Sequence, residues 1–216
     1  MLDTILDSPL SSWLQLDTDA TDHIVISSRI RLARNFDGVL FTNRNDMSSL
    51  EKVNSFSRSL LKPLKDVDGH QYSNINLEQL SERDRAILVE KHLMSPALEE
   101  KLPYRNLVVS DDASIVIMVN EEDHLRIQSM VSGLRLEVAY ERVLKIDKAI
   151  EAKYPYAFDE RFGYLTACPT NVGTGLRASV MLHLPALTIS GKITRLIRSI
   201  IQLGYSVRGL YGEGSE

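Results

Sequence analysis

Several segments of this 216-residue chain alternate apolar with polar residues, and a period of two predicts β-strands. HIVISSRIRLARN (23–35) predicts a strand that runs into a basic loop. NLVVSDDASIVIMVN (106–120) predicts a β-hairpin with an acidic turn. Further strands are predicted at HLRIQSMV (124–131), GYLTACP (163–169), LRASVMLHLP (176–185) and SVRGLYGE (206–213).

Apolar residues spaced by three and four positions predict helices elsewhere. Ser48-Ser49-Leu50-Glu51 has the pattern of a capping box, so a helix is expected to begin there and to end near Pro63, followed by a loop over 64–76. A second helix is expected to begin near Ser81 and to carry Ile87, Leu88 and His92. Two more are predicted at 134–152 and 186–203, the latter ending before Gly204.

The order of these elements predicts the fold class. Runs of neighbouring strands beside separate helices favour an α+β fold, in which helices flank an antiparallel or mixed sheet, over a doubly wound fold. Residues 1–22 are interpreted as a lead-in segment and residues 23–216 as the main domain.

Composition excludes several classes of protein. Hydrophobic residues make up 44% and charged residues 25%, as in ordinary globular proteins, and a net charge of −4 argues against nucleic-acid binding. The single cysteine, Cys168, cannot form an internal disulfide. The first residues lack a basic leader, and no apolar run approaches the ~18 residues of a membrane span. We therefore expect a cytoplasmic protein without a membrane partner.

Five arginines carry the candidate chemistry, because a guanidinium fork matches the oxygens of a phosphate. Any one of them alone is more simply explained as a solvated surface charge. They lie in or beside expected loops, at Arg29, Arg31, Arg126, Arg177 and Arg208.

Acids and the cysteine are open to two interpretations each. Glu121, Glu122 and Asp123 are either a solvated turn or carboxylates that orient a guanidinium and accept its proton, and Glu213 is a second such candidate. Cys168 is either a small buried apolar residue or a thiolate that faces a cation. The five histidines show no metal-ligand spacing and no Walker A motif occurs, so no protein-held metal is expected.

Four motifs in this order, SSRIRLARN, NEEDHLR, CPTNVGTGLRASV and VRGLYGE, resemble the ATP:guanido phosphotransferases, or phosphagen kinases. The resemblance spans residues 27–213, almost the whole chain. It implies an antiparallel sheet flanked by helices, with ATP lying across the sheet and Mg²⁺ held largely by the ATP itself. It also implies that the chain is an incomplete catalytic domain, because family members continue beyond VRGLYGEGSE.

The resemblance assigns roles to individual residues. Glu122 matches the carboxylate that holds the guanidino group, with Glu121 beside it, Glu213 matches a second carboxylate, and Cys168 matches a cysteine facing the substrate. The implied nucleotide contacts are Ser27, Ser28, Arg29, Ile30, Arg31, His92, Arg126, Arg177, Ala178, Ser179, Val180, Met181, Arg208, Gly209, Leu210, Tyr211, Gly212 and Glu213.

The position of SSRIR, which begins at residue 27, favours one branch of the family. Small-molecule guanidino kinases carry a helical domain before this motif. The bacterial protein arginine kinases, which phosphorylate arginine side chains in proteins marked for degradation, begin much as this chain does. The resemblance then implies protein substrates, an activator protein and Clp-type proteases as partners. The alternatives are a small-molecule guanidino kinase and a catalytically impaired nucleotide-binding fragment.

Overall fold

The computed structural model describes residues 2–8, 12–14 and 24–209. Residues 1–181 and 182–216 form two compact units, and each is described by itself. The first unit contains α1 (Leu2–Asp7), β1 (Val25–Arg34), α2 (Met47–Ser59), α3 (Leu61–Asp68), β2 (Tyr72–Asn76), α4 (Glu82–Glu90), β3 (Asn106–Ser110), β4 (Ile115–Val119), β5 (Leu125–Ser132), α5 (Leu136–Glu151), β6 (Phe158–Asp159), β7 (Gly163–Tyr164) and β8 (Leu176–Leu182), whose last residue opens the second unit.

Six of the described strands form one sheet in the order β2-β3-β4-β5-β1-β8. The pairings β2–β3, β3–β4, β4–β5 and β5–β1 are antiparallel. β8 joins the edge beside β1, where the Ala33 amide donates to the Gly175 carbonyl at 2.9 Å. The antiparallel sheet flanked by helices that the sequence predicts is therefore confirmed.

Each face of the sheet packs against its own set of apolar residues. Alternate residues of β4 point to opposite sides, since Ile115 and Ile117 belong to one buried cluster and Val116 and Met118 to the other. The first cluster takes its helical side chains from α2, α3 and α5. The second takes them from α1, α4 and the Trp13 turn, so the lead-in residues described here pack against the sheet.

Several boundaries differ from those expected. Asp46, not Ser48, caps α2, because its carboxylate accepts the Ser49 amide at 2.8 Å, so the expected capping box is wrong. α2 ends at Ser59, and Pro63 lies in the first turn of α3, where a proline is tolerated. The expected loop over 64–76 contains the end of α3 and all of β2. The hairpin at 106–120, the strand at 124–131, the helix capped by Ser81 and the helix at 134–152 agree with the prediction.

The strand predicted at 163–169 is largely wrong, because only Gly163 and Tyr164 are in strand conformation. Beyond them the chain forms a 3-10 turn (Pro169–Asn171) and a glycine-rich loop. Gly175, at φ +62°, fits against β1 so closely that a Cβ there would lie 2.6 Å from the Ala33 carbonyl oxygen. Only glycine therefore allows this loop to enter β8 at that position.

The second unit contains α6 (Pro185–Ile189) and α7 (Ile193–Gln202) among its described residues. The single helix predicted at 186–203 is thus two helices, and Gly191, at φ +68°, lies between them. Residues 206–208 are not in strand conformation, so that part of the predicted terminal strand is wrong, and LYGE (210–213) lies outside the described residues. No helix in the described ranges is long and apolar enough to cross a membrane.

A buried ion pair joins three parts of the first unit. Arg34, at the end of β1, lies 2.9 Å from the Asp147 carboxylate of α5, and their side chains are only 4% and 5% exposed. The same guanidinium donates to the Thr174 carbonyl at 2.9 Å and covers the Tyr164 ring at 3.7 Å. Strand, helix and glycine-rich loop are therefore held by one cation, which the sequence analysis did not single out.

We expect that Asp147→Ala lowers the free energy of unfolding by about 3–5 kcal/mol, because it leaves the Arg34 guanidinium buried without its counter-charge. Urea denaturation measures the change. The double variant Arg34→Met, Asp147→Leu should lose less than Asp147→Ala alone, because neither charge is then buried unpaired. Equal stability of Asp147→Ala and the unsubstituted chain would contradict the assigned role.

Candidate functional site

Arginines from three neighbouring strands lie on one face of the sheet. The apolar Ile30 and Leu32 of β1 point into the first core cluster, so Arg29 and Arg31 point to the other side. Ala33 pairs with Arg126 of β5, which places Arg126 on that same side. Arg29 and Arg31 therefore sit within a regular strand and not in the expected basic loop, whereas Arg126 lies in β5 directly beside the acidic turn, as expected.

Arg177 and Ser179 of β8 complete this arginine face. Arg29 Nε lies 3.4 Å from Ser179 Oγ, which links β1 to β8. Partial burial, and then the positive charges of Arg126 and Arg177, lower the pKa of Arg29. Burial and the charges of Arg29, Arg126 and Arg177 lower the pKa of Arg31 to about 9, against an opposing contribution from Glu121. The four guanidinium groups are thus close enough to repel one another.

His92 borders this face. It follows α4 with a positive φ of 57°, and its backbone carbonyl accepts a hydrogen bond from Gln128 of β5 at 3.0 Å. Burial, and then the charge of Arg29, lower the pKa of the His92 imidazole. The four guanidinium groups make this face positive, which is the environment that a polyphosphate requires.

The acidic turn between β4 and β5 places two adjacent carboxylates in different environments. The Glu121 side chain is 4% exposed and that of Glu122 is 45% exposed. Glu121 accepts a hydrogen bond from Ser95 Oγ at 2.7 Å and lies 2.8 Å from Arg126 Nη2, an ion pair rather than a well-aligned hydrogen bond. Glu122 lies 3.8 Å from the same nitrogen. Glu121 therefore positions Arg126, and Glu122 is the carboxylate that faces outward.

Asp123 fixes this turn to the segment that carries Cys168. One carboxylate oxygen accepts hydrogen bonds from Asn35 Nδ2 at 2.7 Å and from the Ala167 amide at 2.6 Å. Asn35 also accepts the amide of His124 at 2.9 Å. Asp123 is buried, so these bonds hold the residue after Glu122 against the residue before Cys168.

Cys168 is partly buried and free, and its Sγ lies 3.0 Å from Thr170 Oγ1. The fully buried apolar site that was one interpretation of this cysteine does not describe it. The glycine-rich segment that follows is held by Arg34 through Thr174 and pairs with Tyr164 through Gly173. The segments before and after Cys168 are therefore both held by hydrogen bonds to other parts of the first unit.

Other predicted site residues are placed differently. The Ile30 side chain is in the core, and Ser28 Oγ bonds the Gly133 carbonyl and the Arg135 amide, so these side chains do not join the arginine face. Ser27 is buried in β1.

In β8, Arg177, Ser179 and Met181 alternate with Ala178 and Val180, which point to the opposite side. Arg208 and Gly209 belong to the second unit. Leu210, Tyr211, Gly212 and Glu213 lie outside the described residues.

One cluster of potential metal ligands occurs among the described residues, formed by His70, Asp111 and Asp112. It lies at the other end of β4 from Glu122, because Asp111 and Asp112 form the turn that precedes this strand. His70 Nδ1 bonds Asp111 at 2.8 Å, and Asp112 accepts hydrogen bonds from Ser110 and Ser114. These hydrogen bonds stabilise the turn before β4, and they explain why the three side chains lie close together.

The chain is similar to known proteins over most of its length. The family model of the ATP:guanido phosphotransferase C-terminal catalytic domain matches residues 52–216. The chain is 47% identical over 211 residues to the protein-arginine kinase of Syntrophomonas wolfei, covering 95% of this chain and 57% of the relative. It is 44% identical over 215 residues to that of Halothermothrix orenii, covering 100% of this chain and 60% of the relative. The chain thus spans less than two thirds of the length of these relatives.

Two solved structures share the fold. A duplicated taurocyamine kinase from Schistosoma mansoni, solved with transition-state-analogue components, superposes with a TM-score of 0.73 at 30% identity. The match covers 100% of this chain and 30% of that one. A lombricine kinase superposes with a TM-score of 0.73 at 26% identity, covering 98% of this chain and 60% of the other.

We expect tripolyphosphate to stabilise the folded chain, because a polyanion relieves the repulsion among the four arginines. At a concentration a hundredfold above Kd the gain is about 2.7 kcal/mol. Arg31→Gln should melt at a higher temperature than the unsubstituted chain without the anion, because one repelling charge is gone, and should gain less from tripolyphosphate.

Differential scanning calorimetry with and without tripolyphosphate checks both parts. Arg142→Gln, on the exposed side of α5, is the matched control and should leave the tripolyphosphate gain unchanged. An Arg31→Gln variant that gains as much as the control would show that this residue does not face the anion.

Proposed function

The chain belongs to the ATP:guanido phosphotransferase family, and from this premise we propose that it transfers the γ-phosphoryl group of ATP to the guanidino group of arginine side chains in proteins. The observation that carries the proposal is the junction at Arg126. This guanidinium belongs to the cationic face and lies within 4 Å of both Glu121 and Glu122. A phosphate bound at the arginines would then lie beside the carboxylate that faces outward.

The arginine face fits the polyphosphate of ATP. Burial, and then the charges of neighbouring arginines, lower the pKa values of Arg29 and Arg31, so the site is short of negative charge. Phosphate oxygens supply that charge and accept the bidentate hydrogen bonds that arginine offers. Mg²⁺ bound to ATP would neutralise further charge on the phosphates. Glu121 already contacts Ser95 and Arg126, so it is not a free metal ligand, and the metal is best held by the nucleotide.

Glu122 and Cys168 fit the guanidino side of the reaction. Transfer forms a bond between a guanidino nitrogen and the γ-phosphorus, breaks the bond from that phosphorus to the ADP oxygen, and releases one proton from the nitrogen. Glu122 would orient the guanidinium through its N–H groups and accept the proton. The Asp123 contact to Ala167 keeps Cys168 on a fixed segment next to this carboxylate, where the thiol would face the substrate cation.

Relatives support arginine in proteins as the acceptor, because those at 44–47% identity are named protein-arginine kinases. We extend this proposal to a cytoplasmic role in protein quality control, in which an activator protein and Clp-type proteases act with the kinase. The solved structures carry the names of kinases of small guanidino compounds, so a small-molecule substrate is the second candidate. A nucleotide-binding chain without turnover is the third, because the chain spans only about 60% of its relatives.

Mass spectrometry after incubation of the chain with Mg-ATP tests the proposal. We expect phosphoarginine on an unfolded protein substrate and little or none on free arginine. Phosphorylation of free arginine alone would favour the small-molecule candidate. ATP binding, measured by calorimetry, without phosphorylation of either substrate would favour the third candidate and contradict the proposed activity.

The two adjacent glutamates provide a sharper prediction. Glu122→Gln should reduce the rate of phosphoarginine formation at least about a hundredfold, because the charge that holds the cation is lost, while the Kd for ATP stays within about threefold. Glu121→Gln should instead weaken ATP binding about tenfold, because Arg126 loses its buried partner. Calorimetric titration and single-turnover kinetics separate the two effects. Identical behaviour of both variants would show that the turn does not divide these roles.

A further inference from the structure

A cleft of about 590 Å³ opens directly beside Glu122. Its walls come from the segment that leads into α2, from the segment that leads into β3, and from the acidic turn, with Ala167 at one side. The volume lies in the range of about 300–1,000 Å³ that small-molecule sites occupy. A guanidino group alone would leave most of such a cleft empty, so the rest of it is available to whatever is attached to that group.

Hydrogen bonds fix the walls to the acidic turn. Asn120 Nδ2 donates to the Leu50 carbonyl at 3.0 Å and to the Tyr104 carbonyl at 2.8 Å, which joins both flanking segments to the residue before Glu121. Thr42 Oγ1 donates to the Glu122 carbonyl. Hydrogen bonds therefore connect the walls of the cleft to the turn that carries Glu122, so a ligand in the cleft would lie next to this carboxylate.

The charged side chains that line the cleft differ in how far other groups of the protein already engage them. Arg105 donates from Nε to the Asn120 carbonyl at 3.2 Å and from Nη1 to the Ala97 and Glu100 carbonyls. Glu121 is paired with Arg126. Glu122, 45% exposed, is the carboxylate left facing the cleft. The cleft thus offers the negative charge of Glu122 to a cationic ligand. Its own cation, Arg105, is already engaged by backbone carbonyls.

Part of the lining of the cleft is apolar. Met47, Leu50, Leu102 and Pro103 line it, and Met47 and Leu102 are 49% and 38% exposed. Covering such side chains with another apolar group removes their surface from water and is favourable by roughly 25 cal/mol per Å². An occupant that matches the whole cleft carries a cation for Glu122 and a large apolar group a short distance from it.

We infer that this cleft binds the polypeptide next to the target arginine and favours a large apolar side chain there. The inference rests on the proposed function and specifies its substrate, because the arginine would reach Glu122 while its apolar neighbour covers Met47 and Leu102. The carboxylate group of a free amino acid would gain nothing from the apolar part of the lining, and Arg105 is already engaged by backbone carbonyls. The substrate class is thus an exposed chain segment that pairs arginine with an apolar residue, as unfolded proteins display.

Fluorescent peptides test this specificity. Each carries one arginine in a Gly/Ser background, with leucine, alanine, aspartate or lysine placed before or after it. Anisotropy measures Kd, and phosphoarginine formation with Mg-ATP measures kcat/KM. We expect at least one leucine peptide to bind about tenfold tighter than its alanine counterpart and to be phosphorylated with a correspondingly higher kcat/KM. Equal Kd values for all flanking residues would overturn the inference.

Two polar variants locate the effect in the cleft. Met47→Asn and Leu102→Asn should each remove most of the leucine preference, and should lower kcat/KM for the leucine peptide more than for N-acetyl-arginine amide, because that amide has no flanking side chain. Val138→Asn, at a 41% exposed position on α5, is the matched control and should retain the preference. Unfolding curves for all three variants verify that they fold. If both cleft variants retain the full leucine preference, the cleft does not bind the flanking residue. An equal loss of kcat/KM with N-acetyl-arginine amide and with the leucine peptide would show the same.

The two proposals fail separately in this experiment. Phosphorylation of every peptide without a flanking preference would leave the proposed activity standing and would reject the cleft. Absence of phosphoarginine on any substrate would reject the activity, and the binding measurements would still decide whether the cleft selects an apolar neighbour of arginine.

Discussion

The alternation of side chains along β1 is the constraint on which the site depends. Ile30 and Leu32 enter the core on one face, and this burial fixes Arg29 and Arg31 on the other. The antiparallel register with β5 then brings Arg126 onto the same face, opposite Ala33. A slip of one residue would bury two arginines and expose two core residues, so the apolar core and the cationic face enforce the same register.

Repulsion within the cationic face lowers the stability of the folded chain, and a neighbouring carboxylate limits this loss. Burial, and then the like charges of neighbouring arginines, lower the pKa values of Arg29 and Arg31. Glu121 offsets part of this repulsion by pairing with Arg126 from a buried position that Ser95 helps to hold. The remaining charge is left for a ligand, and the folded chain positions its binding groups before the ligand arrives.

Much of the fold could be predicted from the sequence, because alternation and helical spacing are local signals. The alternation over 106–120 predicts the hairpin, and the spacing of apolar residues over 134–152 predicts the helix. The strand predicted over residues 165–169 is wrong because its apolar residues suggest a strand locally, whereas the path of this segment is decided by a contact far along the chain, between Ala167 and Asp123. Motif resemblance selected the arginines, Glu122 and Cys168. It did not reveal Asp147, whose ion pair with Arg34 spans 113 positions and leaves no pattern in either neighbourhood.

Arg126 is the point at which the two halves of the site meet. Its Nη2 lies 2.8 Å from Glu121 and 3.8 Å from Glu122, so the same guanidinium neutralises both carboxylates to different degrees. A buried carboxylate depends strongly on such a partner, whereas an exposed one is also stabilised by water. Phosphate oxygens that approach Arg126 therefore compete little with Glu121 and more effectively with Glu122. The carboxylate whose partner is drawn away is the one that faces the cleft, and its charge is then available to the incoming guanidinium. Under the proposed function, the sequence Glu-Glu in this turn would combine an anchor for the nucleotide side with an acceptor for the substrate side, and the two residues differ in burial, in their distance from Arg126 and in the hydrogen bond from Ser95.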